Sequence, residues 1–243
     1  MITTTHKNGR LGNQIIRNLA VSILSHKHNL KVDYCSEDII NKLGIELFSG
    51  DNTYSEIQEL TDDNYFTIYN SDSINYNLDP NNSFFQTKEI SHLLYNYLHT
   101  DIVKTNIMKN NVFNRRYNNN NDLFIHIRLT DVKKYNPGLK YYINAIQRVS
   151  FNHLYISTDN PNDPIIKNLI RLYRSAKIVV VDEIYTFQFG STCKNIVLSH
   201  GSFSAIIGYL GFFSNVYYPE YDENIKWCGD MFSINNWIQI SVR

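Results

Sequence analysis

Beyond residue 122 the chain alternates short apolar runs with helical patterns, and this rhythm leaves few folds open. The runs are LFIHI (123–127), HLYIS (153–157), AKIVVVD (176–182), NIVLS (195–199) and NVYYP (215–219). Between them lie LKYYINAIQRV (139–149), PIIKNLIRLYR (164–174, introduced by Asp163 and Pro164), a helical stretch over 183–193 and SFSAIIGYLGFF (202–213). Runs that are apolar on both sides of the pleat read as strands buried on both faces. Strands joined through helix-length segments run parallel. The expected fold is therefore α/β, a parallel sheet with helices on both faces.

The first half is less regular. ITTT (2–5) reads as a strand, followed by a glycine-containing loop and a helix over 13–28. LKVDY (30–34) is a second strand, SEDIINKLG (36–44) a short helix with Ser36 as its N-cap, and YFTIY (65–69) a third strand. Residues 87–110 form one long helical pattern. NRRYNNNND (114–122) is polar and lacks periodicity, as a linker does. It predicts two domains, 1–115 and 122–243.

With 43% hydrophobic residues the chain can bury a sizeable core. Its 23 basic and 23 acidic residues cancel, so a general basic surface for nucleic acid is excluded. The three cysteines, Cys35, Cys193 and Cys228, are far apart and odd in number, which points to free thiols in a reducing compartment. The histidines show no metal-ligand spacing, and HKH (26–28) falls at the exposed end of the first helix. The N-terminus has no basic region leading into an apolar one, and no apolar run is long enough to span a bilayer. The expectation is a soluble, cytoplasmic protein without a metal or resident cofactor.

In parallel sheets, ligands bind beyond the carboxyl ends of the strands. Polar residues gather at four such places. In FIHIRLTD (124–131), His126 and Arg128 alternate on one side of a strand and Asp131 follows its end. The Arg fork suits phosphate oxygens, with a structural carboxylate pair as the alternative. In HLYISTDNP, Asp159 could meet a base or ribose, or cap a helix. In IVLSHGSFSAIIGYLG, Gly201 permits a sharp turn, and Ser202, Phe203 and Ser204 open a helix whose N–H groups suit an anion. In NGRLGNQ (8–14), Gly9 and Gly12 flank Arg10, and Asn13 and Gln14 follow. This is neither a P-loop nor the dinucleotide fingerprint. Together the four loops point to a nucleotide-phosphate ligand.

GRLGNQ, HIRLTD, STDNP and CKNIVLSHGSFSAIIGYLG occur in the order of, and resemble, the motifs of the α-1,2-fucosyltransferases (glycosyltransferase family 11). The α-1,6- and protein O-fucosyltransferases share this outline. The resemblance spans roughly 8–219 and is dense only at the motifs. It implies a GT-B architecture of two Rossmann-like domains with the active site in the cleft between them. The N-terminal domain would present a glycan acceptor and the C-terminal one would hold a nucleotide-sugar donor, without a metal. The reaction implied is inverting transfer of fucose from GDP-fucose to a glycan hydroxyl. By that resemblance Arg128 grips the β-phosphate, His126 lies beside the nucleotide and Asp159 meets the base. Ser202, Phe203 and Ser204 line the phosphate and base pocket. Asn13, with Arg10 and Gly12 in its loop, reaches the phosphate or sugar, the amides facing the donor. Asp131 is the nearest candidate base. The chain departs from the family pattern at Leu129 and Thr130, where a second arginine and a glycine are usual, and at Ile206 and Ile207, where tryptophans are usual. Another deoxysugar, a UDP-sugar donor, or a nucleotide- or glycan-binding homologue without turnover therefore stay open, as does the oligomeric state.

Overall fold

The computed structural model describes residues 1–131, 133–220 and 229–242. Two compact units divide the chain. The first comprises Met1–Ile107 and a short stretch ending at Met231; the second comprises the rest. The polar run 114–122 thus lies wholly within the second unit and does not act as a linker. Arg116 pairs with Asp122 at 2.8 Å and lies over the Phe189 ring, while the Asn120 amide donates to the carbonyls of Arg116 and Thr192. Polar residues without periodicity here satisfy backbone groups at the edge of a folded unit.

In the first unit, β1 (Thr3–Thr4) leads through the glycine loop into α1 (Leu11–His28), and β2 (Val32–Asp33) pairs parallel with β1. The Thr5 hydroxyl accepts from the Cys35 N–H at 2.9 Å, extending that pairing beyond its two ladder residues. α2 (Glu37–Asn41) follows. Ser36 sits at φ +57° and makes no side-chain cap; its hydroxyl donates instead to Gln14 Oε1 at 2.6 Å. A short β3 (Ile57–Glu59) pairs parallel with β4 (Asn77–Asp79), and between them α3 (Tyr65–Asn70) occupies the segment expected to be a strand. YFTIY also places Tyr65 and Ile68 three residues apart, and both are buried, so helical packing prevails over β propensity. The long helix expected over 87–110 is two, α4 (Lys88–Leu98) and α5 (Asp101–Asn110), separated at His99–Thr100.

α1 is the axis of this unit, with Ile15, Ile16, Leu19, Ala20, Val21 and Leu24 almost completely buried. His26 and Lys27 are exposed as expected, but His28 is buried and its Nε2 lies 3.0 Å from the Ile68 carbonyl. Arg17 is also buried, 1% exposed, with its guanidinium donating to the carbonyls of Ser83, His6 and Pro80 at 2.8–2.9 Å.

The second unit is built on β5 (Leu123–Ile127), β6 (Leu154–Thr158), β7 (Lys177–Ile178), β8 (Asn195–Val197), β9 (Asn215–Pro219) and β10 (Ile238–Ile240). They form one six-stranded sheet in the order β10-β9-β8-β5-β6-β7, and every pairing is parallel. The expected rhythm is present, with α6 (Leu139–Gln147), α7 (Pro164–Leu172), α8 (Glu183–Gly190) and α9 (Ser202–Tyr209) as its helices. Alternation along β5 sorts the layers. Leu123, Ile125 and Ile127 pack with Tyr141, Ala145, Ile166 and Leu169 of α6 and α7. Phe124 and His126 face the other way, against Phe189 at the end of α8 and Phe203 of α9. The expected strand 176–182 is a ladder of only two residues, and β10 was not anticipated because Ile238 and Gln239 are exposed.

Arg17→Met would leave the Ser83 carbonyl without its guanidinium donor and remove the shortest bonds to the carbonyls of His6 and Pro80, and a buried group left unpaired costs about 1–3 kcal/mol. Urea unfolding should show a loss of about 3 kcal/mol, partly restored in Arg17→Lys.

Candidate functional site

The carboxyl ends of β5, β6 and β8 lie side by side, since β5 pairs with both of the others. Where β5 ends, the Arg128 N–H donates to the Ser199 hydroxyl at 3.2 Å, tying the loop after β5 to the loop after β8. Asp159, just past β6, accepts from the Leu129 N–H at 2.7 Å and from the Thr130 hydroxyl at 2.5 Å. The same carboxylate lies 3.0 Å from Arg128 Nε. Asp131 Oδ1 accepts from Arg128 at 2.7 Å and 3.0 Å. On the other side the Asn136 amide donates to the Arg128 carbonyl and to the Tyr142 hydroxyl, both at 2.9 Å. One guanidinium between two carboxylates is a fixed cation, its side chain 14% exposed.

His126 is 4% exposed, and its Nδ1 lies 2.6 Å from the Ser204 hydroxyl, which in turn is 3.1 Å from that of Ser199. Its ring stacks on Phe203 (centroids 4.9 Å apart), and Phe203 stacks on Phe187 (4.1 Å). Loss of hydration, and then the nearby Arg128 charge, push the His126 imidazole down to about 3, so it is neutral at pH 7. Burial similarly pushes His200 down to about 4. α9 begins here after Gly201, whose φ of +99° suits glycine, and no side chain caps its first turn. The Ser202–Ser204 N–H groups and the helix dipole thus meet at the same strand ends as Arg128.

In the first unit, Gly9 has φ +73°, and a Cβ there would come within 2.3 Å of Asn13 Nδ2, so only glycine leaves this amide its place. Arg10 is the extended N-cap of α1 and is exposed, while Gly12 is buried in the first turn. Asn13 Oδ1 accepts from Gln86 Nε2 at 2.9 Å, leaving Nδ2 as the donor that Asn13 offers. Gln14 departs from the expected role. It is 4% exposed and its amide donates to the Gly9 carbonyl at 2.8 Å, so it braces the loop and does not face a ligand.

The structure therefore gathers His126, Arg128, Asp131, Asp159, Ser202, Phe203 and Ser204 in the second unit, and Arg10, Gly12 and Asn13 in the first. Sequence reasoning gave no role to Phe187, Asn136 or Gln86. They lie outside the motifs and act through aromatic stacking and amide bonds that leave no local pattern. Cys35 and Cys193 are free thiols, and Cys228 lies outside the described residues. Among the described residues no helix is long and apolar enough to cross a membrane, and no group of three or more His, Cys, Asp or Glu is placed to hold a metal. The chain matches no protein-family model, and a search of curated proteins gives no match.

Three histidines whose loss of hydration holds them below the ordinary value, His28, His126 and His200, set a pH dependence. Below about 6.5 the unfolded chain binds protons that the folded one refuses, so the stabilisation is complete above that value and is lost as pH falls towards the folded values. Urea unfolding between about pH 6.5 and 5 should show stability falling by up to about 1.4 kcal/mol per pH unit for each histidine. His126→Gln should reduce the slope by one proton; an unchanged slope would mean the ring titrates normally.

Proposed function

We propose that the protein is a nucleotide-sugar-dependent glycosyltransferase, transferring fucose from GDP-fucose to a glycan hydroxyl with inversion. The observation that carries this reading is the strand-end cluster. A fixed Arg128 fork, a neutral His126 beside aromatic Phe203 and the uncapped first turn of α9 meet at one edge of a parallel sheet. The order of the motifs adds the identity of the sugar. In this reading the two compact units correspond to the two domains of a GT-B enzyme. The second unit holds the donor, and the first presents the acceptor.

The acceptor oxygen bonds to the sugar's anomeric carbon as the bond from that carbon to the β-phosphate oxygen breaks, and the nucleotide diphosphate leaves with the electron pair. Negative charge grows on the phosphate, and preorganised donors aimed at it are the main catalytic need. Arg128 and the α9 N–H groups supply them. Asp131, which faces Arg128, exchanges its place for the incoming phosphate, and the released carboxylate takes the acceptor proton. Asp159 keeps Arg128 in position, since its second oxygen is anchored by the Leu129 N–H.

A thermal-shift panel of GDP, UDP, dTDP and their sugars is the first test. GDP and GDP-fucose should shift the melting temperature, and Arg128→Ala should abolish the shift and lower transfer by about 10²–10³. A preference for UDP or dTDP would replace the sugar; no shift with any nucleotide would overturn the proposal. Asp131→Asn separates two roles of that carboxylate. Nucleotide affinity should rise several-fold because a competing anion is gone, while transfer falls.

A further inference from the structure

Three helices of the first unit leave a space between them. α1 packs on both α3 and α4, and towards its C-terminal end the packing opens into a cavity of about 510 Å³. That is the size of a small-molecule pocket. Its walls follow from helical spacing. Ile23 and Lys27 stand one turn apart on α1, Leu93, Asn96 and Tyr97 share one face of α4, and Tyr69 closes the space from α3. The buried residues of α4, Ile90, Leu94 and Leu98, serve the core, so the Leu93–Tyr97 face is left for the cavity. All of these residues belong to one compact unit. At the helical rise, Lys27 lies about 20 Å along α1 from Asn13, so the space is remote from the glycine loop.

The walls are uneven in chemistry. Ile23, Leu93 and the two tyrosine rings supply carbon surface, and Tyr97 has no aromatic partner among the described residues. Loss of hydration, and then the Glu46 charge, raise the Tyr97 pKa, yet its hydroxyl bonds to no described residue. The Asn96 amide is also unbonded among them, and Lys27 meets no carboxylate. The Lys27 ammonium lies 5.0 Å from the centre of the Tyr69 ring, and its three N–H groups allow it to stay there and still meet an anion. Among the described residues no acidic side chain lines the cavity; Glu46 lies outside it and accepts from the Asn106 amide at 2.9 Å. An amine would meet the Lys27 charge, and a sugar would set its hydroxyls against carbon walls. We infer that this cavity binds a small aromatic carboxylate, its ring along Leu93 and Tyr97 and its carboxylate at Lys27.

Calorimetric titration of the whole protein at pH 7 with 2-naphthoate, uncharged 2-naphthamide and cationic 2-naphthylmethylamine tests this. The acid should bind one site per chain, about two- to fivefold more tightly than the amide, as one partly exposed ion pair gives. The amine should bind most weakly. Lys27→Gln should erase the gap between acid and amide by weakening the acid alone; Lys27 is exposed, so the fold should be kept. Leu93→Trp should fill the cavity and remove binding of both, with an unchanged thermal melt showing the unit intact. The Lys27→Gln comparison decides by itself should Leu93→Trp unfold. An acid that does not bind, or binds no better than the amide, would overturn the proposal. So would a gap that survives Lys27→Gln, or binding indifferent to a folded Leu93→Trp.

Discussion

The Asp159 carboxylate is the contact on which the rest of the site depends. It is a short acidic side chain just beyond β6, and its two oxygens take the Leu129 N–H, the Thr130 hydroxyl and the Arg128 guanidinium. The loop after β5 has no ladder of its own, and this carboxylate supplies the bonds that would otherwise be missing. It also lies among donors and beside a cation, so its charge is matched on every bonded side. The position of Arg128 follows from it, as does the orientation of the loop carrying Asp131. Ser199 does the complementary work from β8, so three strand ends are joined by side chains where the sheet's own hydrogen bonds stop.

His126 shows how burial and placement combine. On β5 it points to the face opposite Ile125 and Ile127, into a column of rings formed with Phe203 and Phe187. A charged imidazole there would lack water and sit near Arg128. The neutral ring instead exchanges one hydrogen bond with Ser204 and contributes flat apolar surface. A site that combines a fixed cation, a flat neutral ring and helix N–H groups is suited to a ligand that is part phosphate and part planar base.

Much of the second unit could be read from its residues because most of its strands lie in continuous apolar runs that alternate with helical patterns, β10 being the exception. The first unit was harder for identifiable reasons. Ile57–Glu59 is exposed throughout and carries no apolar signal, yet it pairs with β4. YFTIY satisfies both the strand and the helix pattern over five residues, and only its packing decides between them. The motif residues at the strand ends were legible as a group, but their partners were not. That Arg128 faces two carboxylates, or that Gln14 turns inward while Asn13 is held outward by Gln86, depends on chain segments far apart in sequence.

Gly208 lies on α9, and a Cβ there would fall 2.4 Å from the Trp237 ring, so the indole occupies the place of a missing side chain. Trp237 immediately precedes β10, the strand that completes the sheet beside β9. The helix that opens at Ser202 is therefore braced by a residue roughly thirty positions further on. Until that segment folds back, α9 carries a notch on its surface and the β9 edge stays bare, so the anion-facing turn acquires its final support from a part of the chain distant in sequence.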